Sequence, residues 1–404
     1  MVRHQEGYTL TELVVVMLIF SVVMTVISVS FNRIAVRSGQ IVKAAETDIG
    51  GLIGLELLRS DLELAGFGLP WSLPAGASYT EADNGVLVTG CADGCPGADA
   101  FLFNDAQSVP PNPRGIVLGN NVGYNNSDYL VLKGTALGMS ATARKWSYLN
   151  YSSSGVIFKK RKSSDVELEP ADQSDKGDWV LVLKTGVRDG VATRELVTDG
   201  GSAFSQRFNT SLPEAFRPAS RAESYQVFGV APADQDYPLA FPFNRADYYL
   251  SRPESITTAC APGTGVLYKT TLNHNGSLTK YPLLDCVADL QVIFFLDRNG
   301  DGEVDDHRPA LASDPSPTQE ELQEQLKEIR LYLLAQQGKK DPGYLYPVSD
   351  PNKVIVVGDA SLDQSLKETF GSVWTQAALA NSFGSDWRHY HWKLYTIVVQ
   401  PKNL

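Results

Sequence analysis

The sequence predicts an α+β fold in which one long N-terminal helix packs on a large, mainly antiparallel β head. No charged residue occurs from Leu13 to Asn32, and a helical amphipathic pattern follows Arg33. Beyond residue 67, short runs of β-branched and aromatic residues are separated by Gly, Asn, Asp and Pro. The first two observations predict a continuous helix, and the third predicts a sheet-rich head.

The helix is expected over residues 8–66. After Arg33, apolar residues recur at steps of three and four, which is the spacing of one helix face. The members of this stripe are Ile41, Ala45, Ile49, Leu52, Leu55, Leu58 and Leu62. The sequence GFGLP at 66–70 ends the helix. Gly50, Gly51 and Gly54 each cost about 1 kcal/mol of helix propensity, so they indicate either close contact with a sheet or local melting.

The head is expected to contain mostly short strands. Four runs are typical of strands because they combine β-branched or aromatic residues with flanking turn residues. They are 85–88, 129–132, 179–183 and 354–357. Two stretches, at about 318–327 and 362–379, have helical patterns instead.

Two segments have compositions that predict irregular structure. Residues 104–126 are rich in Asn, Gly and Pro, and residues 212–243 are rich in Pro. The second segment predicts a division of the head into a variable region, 67–244, and a C-terminal region, 245–404.

The uncharged segment is long enough to cross a membrane. A bilayer needs about 20 apolar residues in a helix, and residues 10–32 meet that requirement. Arg3 and His4 precede the span, whereas the large head follows it. The distribution of positive charge therefore predicts a single-pass protein with a cytoplasmic N-terminus and an external head.

The composition fits an exported, non-catalytic head. The 404 residues carry a formal net charge of −11, which argues against nucleic-acid binding because that function needs a basic face. The sequence contains no G-x-S-x-G, H-E-x-x-H or G-x-x-x-x-G-K-[ST] motif. We therefore expect no enzymatic activity.

Four cysteines, Cys91, Cys95, Cys260 and Cys286, predict two disulfides in an exported protein. Three pairings are possible. The simplest joins Cys91 to Cys95 and Cys260 to Cys286, and the other two remain open at this stage.

The segment before the span carries the most specific signal. Residues 1–7, MVRHQEG, are polar, and the sequence YTLTE leads directly into the apolar run. An ordinary signal peptide is cut after its apolar region. Cleavage at Gly7 would instead remove a leader peptide, 1–7, and leave the membrane helix on a mature chain that begins at Tyr8.

This arrangement resembles the signal of type IV prepilins and type II secretion pseudopilins, in which Gly is usually followed by Phe and then Thr-Leu-x-Glu. Gly7, Thr9, Leu10 and Glu12 match that pattern, and Tyr8 replaces the usual Phe. The resemblance implies a pilin-like fold, cleavage by prepilin peptidase and N-methylation of Tyr8. It also implies residence in the bacterial inner membrane before assembly, and then in a pilus at the cell surface.

Glu12 is the one ionisable side chain between Tyr8 and Asn32. A carboxylate at the hydrocarbon edge is costly unless it is paired. The resemblance implies that Glu12 pairs with the methylated amine of Tyr8 in a neighbouring subunit, which would set the register of assembly.

The order of motifs in the head is similar to that of PilW-type minor pilins. These motifs are ADYYL (246–250), GVLYK (265–269), VADLQV (287–292), DRNGDG (297–302), IRLYLL (329–334) and RHYHWK (388–393). The resemblance covers most of residues 7–70 and 245–404, with Lys269 where the family often has Arg. It implies other major and minor pilins and the inner-membrane assembly platform as partners.

One motif within this order predicts a calcium loop. Oxygen-bearing side chains recur at alternate positions from Asp297, and Gly302 permits a sharp turn. The candidate ligands are Asp297, Asn299, Asp301, Asp305 and Asp306, with a backbone carbonyl from Glu303. Position 12 is Arg308, so the motif is not a complete EF-hand. The alternative is a hairpin turn with solvated carboxylates.

Three functions are therefore open at the level of sequence. The first is a minor pilin that initiates a type IV pilus or lies at its tip, which a 338-residue head (404 − 66) favours over a repeating subunit. The second is a type II secretion pseudopilin of the J type; the K type usually lacks an equivalent of Glu12. The third is a calcium-stabilised adhesin mounted on a pilus.

Overall fold

A computed structural model of the chain describes residues 10–85, 99–106, 112–152, 155–159, 168, 177–188, 191–208, 212–308, 319–359 and 371–404. The fold is α+β, as the sequence predicts. Helix α1, Leu10–Leu64, has 55 residues, about 80 Å at a rise of about 1.5 Å per residue. Its C-terminal part packs on an antiparallel sheet, and its N-terminal part extends away from the head.

The main sheet has eight strands within the described residues, in the order β1-β2-β9-β10-β11-β13-β16, with β12 paired to β11. Its strands are β1 Ile116–Gly119, β2 Tyr129–Gly134, β9 Asn244–Ser251, β10 Gly265–Leu272, β11 Leu278–Leu296, β12 Asp306–Arg308, β13 Leu326–Gln337 and β16 His391–Val399. The expected boundary between 67–244 and 245–404 runs through this sheet, because β2 pairs directly with β9.

A second antiparallel sheet comes from the middle of the chain. In the described residues it has six strands in the order β4-β3-β8-β5-β6, with β7 on β5. They are β3 Trp146–Ser152, β4 Gly155–Lys159, β5 Trp179–Arg188, β6 Val191–Leu196, β7 Ser205–Arg207 and β8 Ser224–Ala231. A short pair, β14 Ile355–Val357 and β15 Ser372–Trp374, and two short helices, α2 Gln319–Gln325 and α3 Gln376–Phe383, complete the described elements.

The main sheet is buried on both faces, with α1 on one side and, on the other, the second sheet together with the β14–β15 pair and α3. Neighbouring residues of a strand point to opposite faces, so Leu130 and Leu132 of β2 pack with Leu58 and Leu62 of α1. Tyr129 and Val131 of the same strand pack with residues of the second sheet. The β2 strand is therefore apolar at successive positions instead of alternating.

The face toward the second sheet also contains buried charge. Lys133 and Arg245 are fully buried, and both contact Glu81, at 2.7 and 3.2 Å. Lys133 also lies 2.8 Å from Asp105, and Arg245 lies 2.8 Å from Asp247. Buried ions of opposite sign are tolerated when they are paired and hydrogen-bonded. These pairs fix the segment that carries Glu81 and Asp105 to the sheet.

The end of α1 is held by two parts of the head, strand β2 and the C-terminal segment. Gly66 adopts φ +77° and donates its N–H to the Lys133 carbonyl at 2.8 Å. A side chain at Gly66 would place Cβ 2.5 Å from the Asn403 carbonyl oxygen. The Asn403 amide donates to the Glu63 carbonyl at 2.9 Å. Glycine is required here both for its backbone conformation and for the close passage of the C-terminus.

The structure explains two of the helix glycines by close contact with β11. A Cβ at Gly54 would lie 2.6 Å from the Leu283 carbonyl oxygen, and a Cβ at Gly51 would lie 2.9 Å from a methyl group of Leu284. Both positions remain helical. The absent side chains therefore let the helix approach the sheet backbone.

Several expected elements differ in the structure. Residues 104–126 include β1, and residues 212–243 include β8, which has two neighbours in its sheet. The prolines of 212–243 flank the segment SYQVFGVA without interrupting it, so their density was misleading. Leu52, expected on the buried stripe, is 59% exposed. The side chains of Ile41, Ala45 and Ile49 lie outside the described residues.

The two helices expected late in the chain are also shorter or displaced. The first, expected over 318–327, ends at Gln325, where β13 begins. In the second, expected over 362–379, residues 372–374 form a strand and α3 begins after Thr375, whose hydroxyl accepts the Ala378 N–H. Residues 361–370 and the expected strand residues 86–88 lie outside the described chain.

Gly54→Ala tests the close contact. Alanine gains about 1 kcal/mol of helix propensity, but its Cβ meets a backbone carbonyl that cannot rotate away. We expect a net loss of about 1–3 kcal/mol in the free energy of unfolding, typical of overpacking. Urea denaturation of the full chain in detergent measures it.

Gly51→Ala is the matched control, because its Cβ meets a flexible leucine side chain and should be tolerated. Equal stability of the two variants would contradict the close contact at Gly54.

Candidate functional site in the N-terminal helix

The N-terminal part of α1 is an unburied apolar surface. Leu10–Ser28 has a mean hydropathy of 2.6, and none of this segment is buried against the head. Its large apolar side chains from Leu13 to Ile27 are about half exposed or more. An apolar surface of this size requires a membrane or neighbouring apolar helices around it.

The polar side chains in this segment are compatible with that environment. The Ser21 hydroxyl lies 2.7 Å from the Met17 carbonyl oxygen, and the Thr25 hydroxyl lies 2.8 Å from that of Ser21. Each hydroxyl is therefore satisfied within the helix, as a membrane-spanning helix requires.

Glu12 lies in the first turn of α1, and its side chain is exposed. A carboxylate at this position is favoured by the partial positive charge of the helix N-terminus. Gly7 and Tyr8 lie outside the described residues. The pairing of Glu12 with a neighbour's Tyr8 amine therefore stays a prediction.

The C-terminal part of α1 is fixed to the head by one buried carboxylate. Asp61 is 2% exposed. It accepts a hydrogen bond from the Tyr248 hydroxyl on β9 and another from the Lys269 ammonium on β10, each at 2.5 Å. Both donors come from adjacent strands of the main sheet. Asp61 therefore determines where the helix lies across these strands.

This cluster holds the Tyr248 hydroxyl in its protonated form. Burial, together with the nearby Asp61 charge, raises the pKa of Tyr248 well above its ordinary value. The phenol therefore stays protonated and donates at physiological pH. Sequence reasoning noted Lys269 but missed Asp61. The available signal was an acidic residue beside Leu58 and Leu62, on the face that is otherwise apolar.

Comparison with known proteins supports the class that the helix geometry indicates. Residues 2–28 match the family model described as the prokaryotic N-terminal methylation motif. No curated protein and no solved structure shows a significant match to the chain. The motif supports a type IV pilin or pseudopilin, which is a structural class of protein. It implies processing by prepilin peptidase and assembly with pilins, and with the apolar helix it fits membrane anchoring before assembly.

The expected calcium loop forms the turn between β11 and β12, where Leu296 pairs with Asp306. Asp297 accepts the N–H groups of Gly300 and Gly302, at 2.7 and 2.9 Å. Asp305 similarly accepts two backbone N–H groups, those of Arg298 and Asn299, at 2.9 and 3.1 Å. The carboxylates thus stabilise the turn through backbone hydrogen bonds.

The remaining contacts of this turn involve cations and short-range hydrogen bonds. Lys327 lies 3.2 Å from Asp297, and Arg298 lies 2.8 Å from Asp306. Asp301 accepts the N–H of Glu303 at 2.8 Å. Within the described residues, no group of three or more His, Cys, Asp or Glu side chains is placed to hold a metal ion. This geometry fits the hairpin alternative, and calcium binding stays a prediction.

One of the two expected disulfides lies within the described chain. Cys260 and Cys286 are bonded, with their Cα atoms 5.0 Å apart. The bridge connects the loop before β10 to β11, the long strand that contacts α1. Cys91 and Cys95 lie outside the described residues.

Replacing Lys269 tests the attachment of the helix. Lys269→Met leaves the Asp61 carboxylate buried without its cation, so we expect a loss of about 3–5 kcal/mol in the free energy of unfolding. The double variant Asp61→Leu/Lys269→Met should recover part of this loss, because it removes both charges but leaves the Tyr248 hydroxyl without its acceptor. Urea denaturation of the full chain in detergent measures each value.

Arg59→Met is the control on the same helix. Arg59 pairs with Glu63 at 3.3 Å, but both side chains are about half exposed, so its loss should cost less than about 0.5 kcal/mol. A Lys269→Met effect as small as that of Arg59→Met would show that Asp61 does not position the helix.

The calcium prediction is tested by thermal unfolding of the full chain in calcium or in chelator. If calcium binds, a free calcium concentration of about 100 times the dissociation constant adds about 2.7 kcal/mol to the free energy of unfolding. The melting temperature then rises. Asp301→Asn should reduce that rise while leaving the stability in chelator nearly unchanged, since Asp301 is exposed. Magnesium serves as the control ion. Identical melting temperatures in calcium and in chelator would contradict calcium binding, and these residues would then only stabilise the hairpin turn.

Proposed function

We propose that this protein is a minor pilin of a type IV pilus, acting at the initiation of the pilus or at its tip. The observation that carries the proposal is the division of α1 into two parts. The N-terminal part, which we call the inner part, is apolar and unburied. The C-terminal part, which we call the outer part, is fixed to a large head. This is the arrangement that a subunit needs in order to leave a membrane and join a bundle of similar helices.

The exposed surface of α1 supports lateral contact with other subunits. Leu52 and Ile53 are 59% and 69% exposed on the outer part of the helix, beside residues that pack on the sheet. Covering these apolar side chains with a neighbouring helix removes them from water, which stabilises the contact. The partners are other major and minor pilins, and the inner-membrane assembly platform delivers the subunit to them.

Glu12 acts in this proposal as the assembly residue. Its carboxylate pairs with the methylated amine of Tyr8 on the neighbouring subunit after prepilin peptidase cleaves at Gly7. The N-terminus lies on the cytoplasmic side before assembly, and the head lies outside. Within an apolar environment such a pair is strongly favoured over an isolated carboxylate.

The size of the head supports a role at one end of the filament. The described part of residues 67–404 contains an eight-stranded sheet, a six-stranded sheet and the two-stranded β14–β15 pair. A unit of this bulk is difficult to repeat along a thin fibre. The PilW type remains our specific assignment within the minor pilins.

A type II secretion pseudopilin of the J type is the second candidate. The methylation motif at residues 2–28 is compatible with both classes. The two candidates differ in which filament fails when assembly is blocked.

Glu12→Ala separates these candidates. We expect the variant to be inserted and cleaved normally, with Tyr8 as the first residue by N-terminal sequencing, but to abolish surface pili. The physical reason is loss of the carboxylate that sets the register of the entering subunit. Electron microscopy and shear recovery of pili from the native bacterium measure the effect.

Glu56→Ala is the control, because Glu56 is an exposed acid on the same helix outside the apolar segment. It should leave piliation at the wild-type level. Loss of exoprotein release with intact pili would establish the pseudopilin class instead. Normal piliation and normal exoprotein release in Glu12→Ala would contradict both candidates.

A further inference from the structure

Two buried carboxylates lie close together where the main sheet meets the β14–β15 pair. Asp289 on β11 and Asp128, just before β2, are both 0% exposed; we call them the carboxylate pair. Asp289 is on the face of β11 opposite α1, since the neighbouring Leu290 packs in the core that contains the helix. Neither carboxylate contributes to the attachment of α1, so the pair has no role in the proposed function.

Asp289 joins the main sheet to β15. One of its oxygens accepts the Trp374 indole N–H at 2.8 Å, and the other accepts the Gln291 side-chain amide at 2.9 Å. Trp374 belongs to the apolar cluster that packs β14, β15 and α3 on the sheet. Separation of β15 from the sheet therefore breaks this hydrogen bond and exposes the Asp289 carboxylate to water.

Asp128 acts as a strand partner for β11. Its carboxylate accepts the backbone N–H groups of Asn121 and Val292, at 2.9 and 2.7 Å. The Gln291 amide, which donates to Asp289, also donates to the Asn121 side-chain oxygen at 3.4 Å. The two carboxylates are thus connected through neutral groups, and the charge of Asp289 acts on Asp128.

Among the residues that the structure describes, no cation neutralises the carboxylate pair. The groups that face it are neutral donors: the N–H groups of Asn121 and Val292 for Asp128, and the Gln291, Trp374 and Ser372 side chains with the Leu290 N–H for Asp289. Arg330 on the adjacent strand β13 forms ion pairs with Glu328 and Asp359, so its charge is compensated elsewhere. A buried carboxylate without a cation is costly in its ionised form.

The protonated form of both groups is consequently favoured in the folded protein. Burial raises the pKa of Asp289 to about 6, against an ordinary value of about 4. Burial also raises the pKa of Asp128 well above its ordinary value, and the nearby Asp289 charge acts in the same direction. Between about pH 4 and pH 6, the folded protein therefore retains a proton on Asp289 that a hydrated carboxylate has lost.

This difference in bound protons gives the contact a pH dependence of known sign. The closed form binds more protons than a form in which Asp289 is hydrated, so raising the pH favours the open form. We propose that the carboxylate pair is an acid-stabilised latch, which holds β15 on the main sheet in mild acid and lets it separate more readily at neutral pH. The contact that responds is that of β14, β15 and α3 with the sheet, on the face opposite α1.

Hydrogen exchange with mass spectrometry tests the proposal on the full chain in detergent, from pH 5 to pH 8. Peptides covering 371–383 report the opening of β15 and α3, and peptides covering 179–188 report β5 in the second sheet. After correction for the intrinsic exchange rate, the equilibrium constant for opening of β15 should rise at least about tenfold. That is the change that linkage requires for one carboxylate whose pKa is about 6 when closed and about 4 when open. The β5 peptides should change less than about twofold.

Asp289→Asn removes the ionisable group and keeps an oxygen that accepts the Trp374 N–H. This variant should reduce the rise between pH 5 and pH 8 to less than about threefold. Asp359→Asn is the matched control, because Asp359 is also buried and follows β14, but it is paired with Arg330. The control should retain the tenfold rise.

The wild-type protein alone can overturn the proposal, whether or not Asp289→Asn folds. Equal opening of β15 at pH 5 and pH 8 would do so, and so would an equal rise in the β5 peptides, which would indicate a general loosening of the acidic chain. A tenfold rise that persists in folded Asp289→Asn, or that is lost in Asp359→Asn, would also contradict it. The measurement needs no filament, so its failure is distinguishable from failure of the proposed function.

Discussion

The arrangement of this protein depends on one buried carboxylate, Asp61, on the sheet-facing side of the 55-residue helix α1. The inner part of α1 requires an apolar environment, whereas the outer part must stay attached to a water-exposed head. Apolar contacts along the outer part are non-directional. The hydrogen bonds from Lys269 and Tyr248 add a direction, and thereby fix the register of the helix on β9 and β10.

Buried charge has a similar role on the opposite face of the main sheet. Glu81 and Asp105 come from the segment after the helix, and Lys133 and Arg245 come from strands. Removing one of these side chains would leave its buried partners with less opposite charge around them, which destabilises the interior. The sheet is therefore attached to α1 on one face and to this segment on the other by specific polar contacts within apolar surroundings.

The sequence predicted the elements whose signals are local and long. The helix from Leu10 to Leu64 follows from an uninterrupted pattern over many turns, and β2, β5 and β14 follow from dense β-branched runs. It missed β1 and β8, because a four-residue strand and a strand between prolines have weak local patterns. The helix expected over 318–327 ends early, since pairing of Leu326 with Leu296 extends β13. Such pairing depends on residues distant in sequence.

The sequence by itself determined the apolar N-terminal helix and the methylation motif around Glu12, because each is a pattern of neighbouring residues. Only the tertiary structure decided what Asp61 and the helix glycines do. Each of these residues meets atoms far away in the chain: Lys269 at Asp61, and the Leu283 carbonyl at Gly54. The loop at Asp297 has the spacing of a metal loop, and the Asp297 carboxylate accepts the backbone N–H groups of Gly300 and Gly302; calcium binding there stays a prediction. Spacing specifies which groups are near in sequence. Packing specifies which polar groups form hydrogen bonds and ion pairs with one another.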